Sequence, residues 1–265
     1  MVPKNLEDLI CDFNYVATSM QIIDEKCIDI PLFYTKQLIK ELCIYPLGCQ
    51  LVRSQGKFGT NSVLFHGLSG TGKTHAALAV AHHSDALFFD ISPKNLEKFT
   101  TKEEVTKAVA TAFRVARFNQ PAILYFDNAE QIFLNPKAKG AVKNPSAQRL
   151  KKLFISYGKL IKGEDRIMFI GCTNKGSHLN MKEFKQMFDK SIYFGLPSYS
   201  DRYKIWKTFI RKKIGKDYDL EYDILAQMSN SFSTESVNKI FCFTLLSFRL
   251  FQLLNILFLS IDWKD

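Results

Sequence analysis

The sequence has no Cys-x-x-Cys pair among its six cysteines (Cys11, Cys27, Cys43, Cys49, Cys172, Cys242), so it lacks the usual spacings of zinc and thioredoxin-like sites. Its N-terminus, Met1-Val2-Pro3-Lys4-Asn5-Leu6-Glu7-Asp8, lacks the basic-then-apolar order of a secretory signal, and the cysteines are therefore expected as reduced thiols in the cytosol. No period of about 20 to 50 residues repeats and there is no low-complexity tract, which excludes solenoids, propellers and collagen-like chains. Acid is scarce relative to base: 26 Asp+Glu against 36 Lys+Arg leave a net charge of +10, and a macromolecular partner is expected to be acidic. Apolar residues are plentiful. At 46% hydrophobic and 13% aromatic over 265 residues, the chain can build one sizeable core, or a core with a small satellite domain.

Five short apolar runs are predicted as strands buried on both faces: Val63-Leu64-Phe65, Ala86-Leu87-Phe88-Phe89, Ile123-Leu124-Tyr125-Phe126, Ile167-Met168-Phe169-Ile170 and Ile192-Tyr193-Phe194. Between the second and third, Val105, Ala108, Val109, Ala112, Phe113 and Ala116 recur at the i, i+3, i+4 spacing of one helix face, and Thr101-x-x-Glu104 before them is a capping box. Strand alternating with helix predicts an α/β fold, a parallel sheet with helices on both faces. After Pro197 the strand signals stop, and 201–213, 223–228 and 234–240 carry helical patterns, so a small helical domain is expected to follow. The segment 240–261 is almost entirely apolar and long enough to span a bilayer, but Arg249 in its middle costs roughly 2.5 to 3.5 kcal/mol on insertion. A buried helix, a membrane helix and an end foreign to the native chain all stay open there, and no function is read from it.

Gly67-Leu68-Ser69-Gly70-Thr71-Gly72-Lys73-Thr74 satisfies the P-loop pattern GxxxxGK[ST], with a predicted strand before it and the helical run Thr74-His75-Ala76-Ala77-Leu78-Ala79-Val80 after it. Composition alone would produce such a match in this chain with a chance of roughly one in a hundred. Glycines let successive backbone N–H groups turn inward around phosphate oxygens, and the helix N-terminus adds its positive end. Lys73 is expected to reach the β- and γ-phosphates and the Thr74 hydroxyl to ligate Mg²⁺. Such a site needs a second acid at the end of a neighbouring buried strand, and Ile123-Leu124-Tyr125-Phe126-Asp127 supplies Asp127, whose other reading is a helix N-cap. The His82-His83 pair at a helix end is expected to interact with that helix's own C-terminus.

With these residues in place, the chain resembles the AAA family of ATPases over roughly residues 30 to 240. The matching features are the Gly67–Thr74 loop, Phe126-Asp127-Asn128-Ala129-Glu130 at the Walker B position, Ile170-Gly171-Cys172-Thr173-Asn174 at the sensor 1 position, and Leu196-Pro197 followed by Arg202 entering the lid. Within that family the wording is similar to the IQ and AAA domain proteins associated with the ciliary dynein regulatory complex. The similar stretches are Glu41-Leu42-Cys43-Ile44-Tyr45-Pro46-Leu47-Gly48, Leu87-Phe88-Phe89-Asp90-Ile91-Ser92-Pro93, Asn144-Pro145-Ser146-Ala147-Gln148-Arg149-Leu150-Lys151-Lys152 and Ser200-Asp201-Arg202-Tyr203-Lys204-Ile205-Trp206-Lys207. The resemblance implies an α/β nucleotide-binding core (31–197) and a helical lid (198–240), and leaves an N-terminal extension (1–30) and an apolar tail (241–265) outside it. It also implies ATP and Mg²⁺ as cofactors, Asn174 as a sensor of the γ-phosphate, an AAA-type oligomer, and a place in the cytoplasm, at a cilium or axoneme. No IQ motif is present, so calmodulin binding is not carried over.

Departures from the family pattern bear on mechanism. Where the family spells the end of Walker B Asp-Glu, the second position here is Asn128, an amide that orients water but cannot take its proton; loss of a general base typically costs about 10² to 10⁴-fold. Glu130, two residues on, reads either as a structural carboxylate or as a substitute base. The arginine-finger stretch corresponds to Gln186-Met187-Phe188-Asp189-Lys190, where Met187 carries no charge and Lys190 offers a point charge without a bidentate fork. At the pore-loop position, Lys98-Phe99-Thr100-Thr101, one aromatic stands, which disfavours threading of polypeptide. From Lys137 to Lys162 there are eight basic residues (Lys137, Lys139, Lys143, Arg149, Lys151, Lys152, Lys159, Lys162) and no acid, read as a solvated face or as a dock for an acidic partner such as tubulin or axonemal subunits. No base-stacking aromatics interleave that run, so nucleic acid is disfavoured, as is a membrane. The expected function is a slow or degenerate ATPase, a nucleotide-dependent structural module in a ciliary or cytoskeletal complex. The alternatives are an active AAA ATPase remodelling a protein partner, its site completed by Glu130, Lys190 or a partner subunit, and an AAA switch on nucleic acid.

Overall fold

The computed structural model describes residues 3–12, 30–55, 60–99, 101–135, 145–214 and 221–243. The chain opens with a strap, residues 3–12, that contains one 3₁₀ turn (Leu6–Asp8). Helix α1 (Leu32–Ile39) continues through a π-helical stretch (Lys40–Ile44) into a further turn (Tyr45–Gly48). Pro46 explains the widened stretch: it has no N–H to give and its ring crowds the preceding turn, and a π turn absorbs both without ending the helix. Helix α2 (Gln50–Gln55) then leads to β1 (Ser62–Gly67) and α3 (Lys73–His83).

The rest of the core alternates as its pattern predicts: β2 (Leu87–Asp90), α4 (Lys102–Phe118), β3 (Ala122–Phe126), α5 (Pro145–Leu160), β4 (Ile167–Thr173), α6 (Met181–Met187) and β5 (Lys190–Phe194). All strands are parallel, in the order β2-β3-β4-β1-β5. The capping box forms: the Thr101 hydroxyl accepts from the Glu104 amide, and the Glu104 carboxylate accepts from the Thr101 amide.

Every residue of β3 and β4 is buried because alternate side chains enter two different cores. Ile123, Tyr125, Met168, Ile170 and Cys172 join Val63, Phe65 and Val80 on the α1/α3 face. Leu124, Phe126 and Phe169 join Phe113, Phe154 and Phe188 on the α4/α5 face. Three strands depart from the sequence expectation, and β5 is one: it is an edge strand and begins at the exposed Lys190 and Ser191, ahead of the predicted run. β2 is an edge strand, with Leu87 46% exposed, so it is covered less completely than predicted. β4 runs past its apolar run through Gly171-Cys172-Thr173, because these residues continue the ladder opposite Leu64, Phe65 and His66.

Beyond β5 come α7 (Tyr199–Ile214), α8 (Tyr222–Met228) and a helical stretch α9 (234–243), packed around Ile205, Trp206, Ile210, Tyr222, Val237 and Phe241. Arg202 pins this unit from inside, its Nη1 donating to the Pro197 carbonyl and its Nε to that of Ala226. The apolar tail from residue 244 onward lies outside the described residues, and among those described no helix is long and apolar enough to cross a membrane.

Candidate nucleotide-binding site

The strand order places the C-terminal ends of β3, β4 and β1 side by side, a crevice of the kind where open α/β sheets bind ligands. The Gly67–Gly72 loop leaves β1, Asp127 leaves β3 and Asn174 leaves β4. The sequence-predicted residues Lys73, Thr74, Asp127, Glu130 and Asn174 therefore gather at one edge of the sheet.

Two glycines show why the loop tolerates no side chain. Gly70 (φ +79°) has Ser233 Oγ and the Glu235 side chain so close that a Cβ would meet them at 2.5 and 2.9 Å. Gly72 (φ +93°) has a Leu9 methyl 2.7 Å from the same hypothetical atom. The loop is thus held between α9 and the N-terminal strap, and the Glu235 amide also donates to the Gly70 carbonyl at 3.1 Å.

Lys73 is 6% exposed, and its ammonium donates to the carbonyls of Gly67 and Leu68 and approaches Thr71 Oγ1. Burial pulls its pKa down, and the nearby charges of Asp127 and Glu130 pull it back up. A lysine satisfied by its own loop must leave those carbonyls to reach a phosphate. Left-handed glycines, a cation at the loop's base and the helix N-terminus of α3 fit a polyphosphate, with Thr74 and Asp127 as oxygen donors suited to a hard divalent cation.

The turn after β3 is fixed by its own hydrogen bonds. The Asp127 amide donates to Ser92 Oγ at 2.9 Å, and Ser92 is itself held by Asp90 at the end of β2. The Asn128 amide donates to Asp127 Oδ1 at 2.8 Å, and Asn128 adopts left-handed backbone angles, φ 53° and ψ 49°. Asparagine is among the few residues with a β-carbon that accept this conformation readily. Glu130 is buried and accepts from the Thr173 hydroxyl at 2.5 Å; Thr173 in turn accepts from the Lys175 amide, which ties the turn after β3 to the exposed Asn174 segment.

Other sequence-predicted features fall elsewhere. Met187 is 4% exposed in the core and Phe188 packs on Phe126 and Phe133, so neither projects to a neighbour. Asp189 accepts from the amides of Asn61 and Ser62. Lys190 pairs with Val63 at the start of β1, four rungs and ~13 Å of strand from Gly67, so it cannot reach its own chain's phosphate loop. Of the basic run, Lys137, Lys139 and Lys143 and the Arg149 side chain lie outside the described residues; Lys151 pairs with Glu183, and Lys152, Lys159 and Lys162 are exposed. Phe99 is exposed, and Thr100 lies outside the described residues. His83 corrects an expectation: its Nε2 accepts from the Leu6 amide of the strap at 3.1 Å, where its own helix's end was expected as the partner. The strap reaches across to α7 through Asp8 to Lys212, Asp12 to Lys204, and the Asp12 amide to Asp201.

Sequence reasoning passed over Tyr125, Ser92, Leu9 and Glu235. Tyr125 left one signal, a phenol in an otherwise aliphatic and Phe strand, since a buried tyrosine hydroxyl usually has a partner; here it donates to Thr74 Oγ1 at 3.3 Å.

Comparison with known proteins agrees with this fold. The sequence profile of the ATPase family associated with various cellular activities (AAA) matches residues 63–196, about half of the chain. Dynein regulatory complex protein 11 of Mus musculus is 28% identical over 236 residues, 86% of this chain and 27% of that protein. Spastin of Gallus gallus is 31% identical over 201 residues, covering 75% and 32% of the two chains, and Fidgetin-like protein 1 of Rattus norvegicus is 29% identical over 203 residues, covering 76% and 29%. The chain spans about a third or less of the length of these relatives. The crystal structure of the FIGL-1 AAA domain in complex with ADP shares the fold at a TM-score of 0.62 and 24% identity, over 77% of this chain and 66% of that one.

Proposed function

Because the chain belongs to the AAA family of ATPases, matching its profile over residues 63–196, we propose that it binds ATP with Mg²⁺ and uses the bound nucleotide chiefly to order its own loop, strap and lid, with slow or absent hydrolysis. The observation that carries this reading is the meeting of a complete phosphate loop with Asn128 where a base would stand. The amides of Gly67 to Gly72 would cradle the phosphates, Lys73 would hold the β- and γ-phosphates, and Asn174 would face the γ-phosphate. Thr74 directly, and Asp127 through water, would hold Mg²⁺, which when bound neutralises phosphate charge. Glu130 positions the Walker B turn through Thr173. Residues 31–197 act as the nucleotide core and 198–240 as the lid.

A dynein regulatory complex protein among the relatives supports a ciliary or cytoskeletal setting. The exposed lysines of α5 and the net charge of +10 favour an acidic partner such as tubulin. The test is phosphate release at saturating MgATP, with nucleotide affinity measured alongside, for the natural chain, Lys73→Ala and Asn128→Glu. Lys73-dependent binding with release near background, raised by Asn128→Glu, is the expected result. Turnover by the natural chain at an ordinary AAA rate would overturn the slow-turnover reading and turn attention to Glu130 and to groups supplied by a partner subunit.

A further inference from the structure

Tyr125 sits in the middle of the sheet, 3% exposed, with its ring packed on Phe88 at 5.1 Å. Its hydroxyl points out of the sheet at the first turn of α3 and donates to Thr74 Oγ1, 51 residues away in the chain. The Cys172 side chain from β4 also neighbours that hydroxyl. The phenol hydrogen is directed at Thr74 Oγ1 at 3.3 Å.

The arithmetic at Thr74 Oγ1 is tight. A threonine hydroxyl has one hydrogen and two lone pairs. With one pair taken by the Tyr125 O–H, the remaining pair and the hydrogen have defined directions, and the side chain is held in one of its staggered rotamers. We propose that Tyr125 is a positioning residue for the metal–nucleotide complex: it fixes Thr74 Oγ1 so that the free lone pair meets a divalent cation and the O–H meets a carboxylate or phosphate oxygen. This inference rests on the proposed function above. Partners that orient a metal ligand govern metal affinity in this way, and their loss typically weakens it about 10 to 100-fold.

The test compares the natural chain with Tyr125→Phe, Thr74→Ala, the double variant and Thr74→Ser, titrating a fluorescent ATP analogue across Mg²⁺ concentrations and in EDTA, with melting temperature as a folding control. Tyr125→Phe should raise the Mg²⁺ needed for half-maximal tightening about tenfold and leave affinity in EDTA unchanged. The double variant should behave as Thr74→Ala alone, because Tyr125 acts only through that oxygen. Thr74→Ser should keep the natural Mg²⁺ dependence, since the oxygen and its donor both remain. Equal weakening with and without Mg²⁺, no weakening, additive losses in the double variant, or loss of Mg²⁺ dependence in Thr74→Ser would each overturn the inference. If the natural chain itself shows no nucleotide affinity, the proposed function falls and this inference falls with it; a Mg²⁺-dependent natural chain beside an unaffected Tyr125→Phe removes the inference alone.

Discussion

The Thr173 hydroxyl at the end of β4 donates to the Glu130 carboxylate just past the end of β3, at 2.5 Å, inside the protein. One oxygen of Glu130 is therefore engaged in joining two adjacent strand ends. A carboxylate so held is suited to keeping Asp127 and Asn174 in a fixed relation.

Replacing Glu130 separates the two roles that its position allows. Glu130→Gln keeps an acceptor for Thr173 and should shift stability by no more than about 1 kcal/mol, whereas Glu130→Leu leaves a buried hydroxyl without its acceptor and should cost about 1–3 kcal/mol. Thermal melting reads both. If Glu130→Gln instead abolishes phosphate release at an unchanged melting temperature, Glu130 is the base.

Asn128 has a backbone that resists the residue chemistry would favour. Asn128→Gly should fold as well as the natural chain, because glycine takes φ 53° without strain. Asn128→Glu should lose about 1–2 kcal/mol of stability from the left-handed conformation while its phosphate release rises. Loss of stability in Asn128→Gly, seen by chemical denaturation, would mean that the amide side chain holds the turn.

Burial should hold the strap more strongly than charge does. Leu9→Ala, which empties the space against Gly72, should cost about 2–5 kcal/mol. Lys212→Ala, which removes the partly exposed partner of Asp8, should cost less than about 1 kcal/mol. Similar melting temperatures for the two variants would contradict this ranking.

Acid should selectively remove the Asp8 contribution. The hydrogen bond from Lys212 holds the Asp8 carboxyl below its usual pKa against the opposing effect of burial. A pKa depressed in the folded state means that stabilisation is complete above the unfolded value of 3.8 and is lost as pH falls through the folded one. The small melting-temperature gap between the natural chain and Lys212→Ala should stay constant from neutral pH down to about 5 and close below about 4. A gap that persists in acid would assign the effect of Lys212 to packing.

Much of the core was readable in the sequence because its signals are local. The P-loop is eight consecutive residues, β3 is an unbroken apolar run ending in Asp127, and the capping box of α4 spans four positions. The pairings Thr74 with Tyr125, Glu130 with Thr173, Gly72 with Leu9 and Gly70 with Glu235 join distant parts of the chain, and no periodicity announces them. The C-terminal half of β4 was hidden because Gly171, Cys172 and Thr173 extend it by ladder pairing with β1, with little apolar character of their own. His83 was misjudged because helix ends offer an obvious partner, and the actual one, Leu6, belongs to a segment with no strong pattern.

Mechanically, the phosphate loop is a bearing with two shafts resting on it. Gly70 carries the first turn of the last described helix, and two residues along Gly72 carries a leucine from the first dozen residues of the chain. Neither glycine leaves room for a β-carbon, so a rotation of the loop backbone would press on both shafts together. On the proposed function, an anion held in this loop would therefore couple two surfaces at opposite ends of the described chain.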